Sequence, residues 1–123
     1  MKVIDWKLEL ENGVYDKSVG IKILKLAGDA GFSTYLTEIA PGVAINGDYH
    51  RHGDEHYHIV SGRGEMRLVD VATGAARTQA VAEQSSFVVP ANTQHQLSNT
   101  GVAPLVLMFS CPASHLADDR HFL

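Results

Sequence analysis

The chain has 123 residues, 45% of them hydrophobic and 20% charged, which is the composition of a folded domain and not of a disordered tail or a coiled coil. That length closes one core and is short for two, so a single domain over residues 1–123 is expected. Ten Lys and Arg against fourteen Asp and Glu leave a net charge of −4 with the basic residues scattered, which argues against nucleic acid as a partner.

The opening MKVIDWKLELENG carries charges at Lys2, Asp5, Lys7, Glu9 and Glu11, so it has no apolar export core, and it reads as a short strand near Val3–Leu8. Candidate strands follow at Ile21–Leu26, Phe32–Ile39, Tyr57–Val60, Glu65–Val71, Ser86–Val89 and Leu105–Ser110, with shorter ones near Gln79–Ala82 and His95–Ser98. Turn chemistry separates them, as in Gly28-Asp29-Ala30-Gly31, Ala40-Pro41-Gly42, Ser61-Gly62-Arg63-Gly64 and Asn99-Thr100-Gly101. No stretch shows a useful helical period, and none approaches the ~18 apolar residues of a membrane helix. The expectation is an all-β closed barrel or jelly roll with no membrane partner.

The run Pro112–Leu123 breaks the pattern, mixing His115, Asp118, Asp119, Arg120 and His121 with Leu116 and Phe122. It reads as a short helix, or as an arm over the barrel or a neighbouring subunit. A lone Cys111 cannot form an internal disulfide and reads as a small buried hydrophobe, so the default location is cytoplasmic.

Four of the seven histidines fall in Tyr49-His50-Arg51-His52-Gly53-Asp54-Glu55-His56-Tyr57-His58. On a strand, positions i and i+2 share a face about 7 Å apart, so His50 and His52 can aim two imidazoles at one metal ion. After the Gly53-Asp54 turn, alternation puts Glu55, Tyr57 and Ile59 on one face and His56, His58 and Val60 on the other. Apolar bulk favours the first face as the inner one. Imidazole and carboxylate without thiolate suit one divalent ion of Fe, Mn, Zn, Ni, Co or Cu.

The spacing resembles the cupin superfamily, whose first motif is Gly-x5-His-x-His-x3,4-Glu-x6-Gly and whose second is Gly-x5-Pro-x-Gly-x2-His-x3-Asn. His50-Arg51-His52 matches the paired histidines, Glu55 and Gly62 match Glu-x6-Gly, and Pro90, His95 and Asn99 match the second motif. The motifs then span about 44–62 and 84–99. The resemblance implies a double-stranded β-helix barrel, often a homodimer, with a metal held by His50, His52, Glu55 and His95. Only Gly53 and Asp54 separate His52 from Glu55, one residue fewer than the motif allows, so His56 stands as a substitute for Glu55. Ala44 and Gln84 stand where each motif opens with Gly, and Asn92 replaces the inner Gly of the second with a residue that tolerates a left-handed backbone.

The implied activity is metal-dependent chemistry on a small oxygenated organic substrate, either by a dioxygenase or by a non-redox isomerase, cyclase or lyase. Tyr57 is the candidate acid–base or orienting group, and the inner wall is expected to use Phe32 or Tyr35, Met66, and Met108 or Phe109. The alternative is a non-catalytic module in which the ion fixes a small molecule or stiffens the barrel.

Overall fold

The structure, a computed structural model, describes residues 1–123. In chain order it has α1 (Trp6–Glu11), β1 (Val14–Asp16), β2 (Ile21–Gly28), β3 (Ser33–Ile39), β4 (Glu55–Ser61), β5 (Arg63–Asp70), β6 (Ala76–Ala82), β7 (Ser86–Val89), β8 (Thr93–Asn99), β9 (Leu105–Cys111) and a single 3-10 turn at Ala113–Leu116. Every strand pairing is antiparallel. One sheet has the order β1-β2-β3-β9-β4-β7, and the second β6-β5-β8. Together they form the expected all-β jelly-roll barrel. No helix is long and apolar enough to cross a membrane.

Period-two alternation explains which side chains enter the core. Glu55, Tyr57 and Ile59 of β4 point inward while His56 and His58 stay exposed. Leu105, Leu107, Phe109 and Cys111 do the same on β9. With Ile39, Met66 and Leu97 they make a centre in which most side chains are 1% exposed or less, each apolar one contributing about 1.5–3 kcal/mol. On the inner wall Tyr35 and Phe109 are the buried members of their pairs, stacked with ring centroids 5.2 Å apart, whereas Phe32 is 44% exposed.

The β4–β5 turn needs glycine. Gly62 has φ +88°, and a Cβ there would lie 2.7 Å from the Pro104 carbonyl oxygen. Gln84 and Asn92 are the two non-glycine residues with positive φ, at 63° and 58°, so both adopt the left-handed backbone at positions where the second motif carries glycine.

The start of the chain corrects the sequence reading. Residues 6–11 are a helix, because the Asp5 side chain accepts from the Leu8 N–H at 3.0 Å and caps the first turn. The apolar alternation of Trp6, Leu8 and Leu10 enters no strand pairing, and Leu10 alone of the helix is buried. The C-terminal run is an arm over its own barrel: after the 3-10 turn the chain returns across the mouth, where His121 forms a bridge with Tyr49.

Candidate metal centre

Asp48 and His95 exchange main-chain hydrogen bonds, His95 N–H to the Asp48 carbonyl at 2.9 Å and the reverse at 3.3 Å, which sets the two side chains next to each other. Two residues on, His50 shares the inward face of Asp48. Glu55 enters from the first position of β4, and the C-terminal arm adds His115 and Arg120. Asp48, His50, Glu55, His95 and His115 are all buried, none more than 5% exposed.

Main-chain carbonyls fix the rings. A carbonyl only accepts, so His50 donates Nδ1–H to the Asp119 oxygen at 2.6 Å and His95 donates Nδ1–H to the Thr93 oxygen at 3.1 Å. Each ring then turns its Nε2 inward. His50 Nε2 lies 2.8 Å from Glu55 Oε2, and His95 Nε2 lies 3.4 Å from Asp48 Oδ1 and 3.5 Å from Glu55 Oε1. At these distances a positive charge, whether a proton on the ring or a bound cation, stands between ring nitrogen and carboxylate. Asp48, His50 and His95 place ligand atoms within 4.8 Å of one another, and so do His50, Glu55 and His115, so the buried imidazole and carboxylate donors around His50 fit a divalent ion, with the carbonyls orienting the imidazoles.

Arg120 bridges the centre to the first hairpin, with Nε 3.5 Å from Asp48 Oδ2 and Nη1 2.7 Å from Asp16 Oδ2. Burial raises the Asp48 carboxyl above its ordinary range against the pull of His95 and His50. Burial acts the same way on Glu55, but hydrogen bonds from His115, His50 and His95 outweigh it and hold Glu55 well below its usual value. For His95, burial disfavours the charged ring and Glu55 more than reverses this, bringing it to about 8.

Beside the cluster lies a cavity of about 40 Å³, walled by Ile21, Ile39, Ile45, Leu107 and Phe109 and closed by His115, Leu116 and Arg120. It has room for an ion and a few waters, not for an organic molecule. A groove of about 1150 Å³ runs elsewhere, between α1 and neighbouring strands, and its lining contains no histidine.

The Cupin domain family model matches residues 35–111. This chain is a cupin. It is 31% identical over 81 residues to mannose-1-phosphate guanylyltransferase RfbM of Salmonella typhimurium, covering 66% of this chain and 16% of that protein. It is 30% identical over 88 residues to xanthan biosynthesis protein XanB of Xanthomonas campestris, covering 72% and 18%. The cupin thus spans less than a fifth of these relatives. Among solved structures, Bacillus subtilis oxalate decarboxylase, studied for its Mn(II) centres, matches at TM-score 0.68 and 20% identity over 84% of this chain and 28% of its own. The capsular polysaccharide assembling protein CapF of Staphylococcus aureus matches at TM-score 0.64 and 20% identity, over 82% and 34%.

The geometry moves this cupin's first motif by two residues. Gly42, Asp48, His50, Glu55 and Gly62 fit Gly-x5-His-x-His-x4-Glu-x6-Gly at every spacing, with Asp48 in place of the first histidine. Gly42, with φ +78°, is the opening glycine, so Ala44 is no departure, and His50 and Glu55 have four residues between them.

His52, expected as a ligand, is exposed and outside the cluster. Bridge pairing ends at Tyr49, and residues 51–54 form a loop in which the His52 N–H is held at 2.9 Å by Asp119 Oδ2. The i, i+2 argument holds toward Asp48 and fails toward His52. His56 is exposed on the outer face, edge-on to Phe32, and does not replace Glu55. Tyr57 is buried against the centre and donates its hydroxyl to Glu55 Oε1 at 2.8 Å. Burial, with the adjacent Glu55 charge, raises the phenol well above its usual value, so it stays a donor. His115 and Asp48 are the cluster members that sequence reasoning missed. Gly42, six residues before Asp48, was the available signal for the aspartate.

Proposed function

We propose that this cupin is a metal-dependent enzyme for a small oxygenated organic substrate, with one divalent ion held by Asp48, His50, Glu55 and His95. The observation that carries the reading is the convergence of two oriented Nε2 atoms on two buried carboxylates. Such an ion supplies Lewis-acid polarisation or, if redox-active, access to dioxygen chemistry.

The rest is done by the chain itself. The Asp119 and Thr93 carbonyls hold the imidazoles in one tautomer, and the Tyr57 hydroxyl orients Glu55. Tyr57 is a positioning residue in this scheme. The aliphatic wall and the burial of the donors lower the local polarity, which strengthens the charge interactions inside. The polysaccharide-related names of the relatives and the carboxylate substrate in the name of oxalate decarboxylase suggest sugar phosphates, sugar nucleotides and small dicarboxylates as first substrates, each of which reaches the ion only when the C-terminal arm moves off the cavity of about 40 Å³.

Elemental analysis of protein made without a histidine tag should find one transition ion per chain. Turnover of that panel, with each metal in turn, should then identify the chemistry. Absence of stoichiometric metal after reconstitution rejects the reading. The cavity of about 40 Å³ favours a second one, in which the ion stiffens the barrel without turnover. Stoichiometric metal, ligand binding and no product on any substrate would select it.

A further inference from the structure

Three imidazoles meet the carboxylates in the same manner, and the third comes from outside the family match. His115 donates Nε2–H to the His52 carbonyl at 2.6 Å, which turns Nδ1 toward Glu55 Oε2 at 2.8 Å. That is the same oxygen that His50 Nε2 reaches at 2.8 Å. The two rings are stacked, with centroids 3.9 Å apart and planes 5° from parallel, and the His115 side chain has no exposure. His50, Glu55 and His115 each place a ligand atom within 4.8 Å of the others, and this group shares His50 with the group of Asp48 and His95.

We propose that His115 is a fifth protein ligand of the ion, through Nδ1, and that residues 113–121 form a cap which the ion holds shut. This rests on the four-ligand centre above. A histidine that only filled space would not have one nitrogen committed to a carbonyl and the other directed at the oxygen shared with His50. The same segment engages Asp48, His50 and the loop that follows it. The Asp119 carbonyl takes Nδ1–H of His50, its carboxylate takes the Arg51 and His52 N–H groups at 2.8 and 2.9 Å, and Arg120 reaches Asp48. Five protein ligands leave an octahedral ion one open position, so a substrate that needs two must displace His115 and open the cap.

The test loads copper(II) into the wild-type chain, His115→Ala and His115→Gln, and counts coupled imidazole nitrogens by electron paramagnetic resonance. Wild type should show three and both variants two. Chelator competition should show affinity lowered by about 10- to 100-fold or more in the variants. Metal should slow amide exchange across residues 113–121 in wild type and not in the variants.

A wild-type count of two, unchanged in the variants, overturns the proposal and leaves the four-ligand centre standing. If wild type takes up no stoichiometric ion, the centre itself is rejected and the proposal with it. Urea unfolding without metal checks that the variants fold. If neither does, the wild-type count decides alone, three in favour and two against.

Discussion

An aspartate in place of a histidine changes the charge of the donor set. Asp48 and Glu55 bring two carboxylates to the site, whose two negative charges match the proposed divalent ion where buried charge is costly if uncompensated. Asp48→Asn should therefore lower metal affinity at least ~10-fold, Asp48→His should retain binding, and His52→Ala should leave the metal content unchanged, all read by chelator competition and elemental analysis. Loss of metal in His52→Ala would reject the assignment. At this scale the sequence was half legible. His50 and Glu55 were visible because histidine and glutamate clusters are rare by chance, and His95 through the resemblance of Pro90, His95 and Asn99 to the second motif. Asp48 was hidden because an aspartate after Asn46-Gly47 reads as turn chemistry, and a His-x-His pair nearby supplied a stronger but misplaced signal. His115 was out of reach, since its partner Glu55 is 60 positions away and no local pattern links them.

Among the elements, β4 does most to assemble the centre, because one alternation sends Glu55 to the cluster, Tyr57 beneath it and Ile59 into the core. Its register depends on the turn that follows. Gly62→Ala would require a positive φ that alanine resists and a Cβ 2.7 Å from the Pro104 carbonyl oxygen. The variant should lose about 1–3 kcal/mol of stability, measured by urea unfolding, and a loss under ~0.5 kcal/mol would show that the turn relaxes. Strands were the legible elements, since Ile21, Phe32, Leu105 and their neighbours alternate against turn residues. The first helix was not, because Trp6, Leu8 and Leu10 alternate like a strand while the capping Asp5 decides the outcome. Hairpin β1–β2 escaped for the opposite reason, as Val14-Tyr15-Asp16 is too short to show a period.

For the whole molecule, an ion that binds only the folded chain adds stability by mass action. At free metal ~1000-fold above its dissociation constant the gain is about 4 kcal/mol, and removing the ion with a chelator should lower the unfolding midpoint by several degrees for each kcal/mol lost. Calorimetry before chelation, after it and after metal is restored checks this. An unchanged midpoint with stoichiometric metal present would show that the ion does not bind the fold preferentially.

The position of β9 sets a timetable for all of this. It lies between β3 and β4, pairing Ser33 with Cys111 on one side and Tyr57 with Phe109 on the other. During synthesis at about 5–20 residues per second, both earlier strands leave the ribosome and wait seconds for the neighbour that divides them. Their apolar faces are open to chaperones in that interval, and slow, long-range β pairing completes the barrel only when residue 111 has emerged. Donors contributed from positions 48 to 95 then converge late, once β9 has joined β3 to β4.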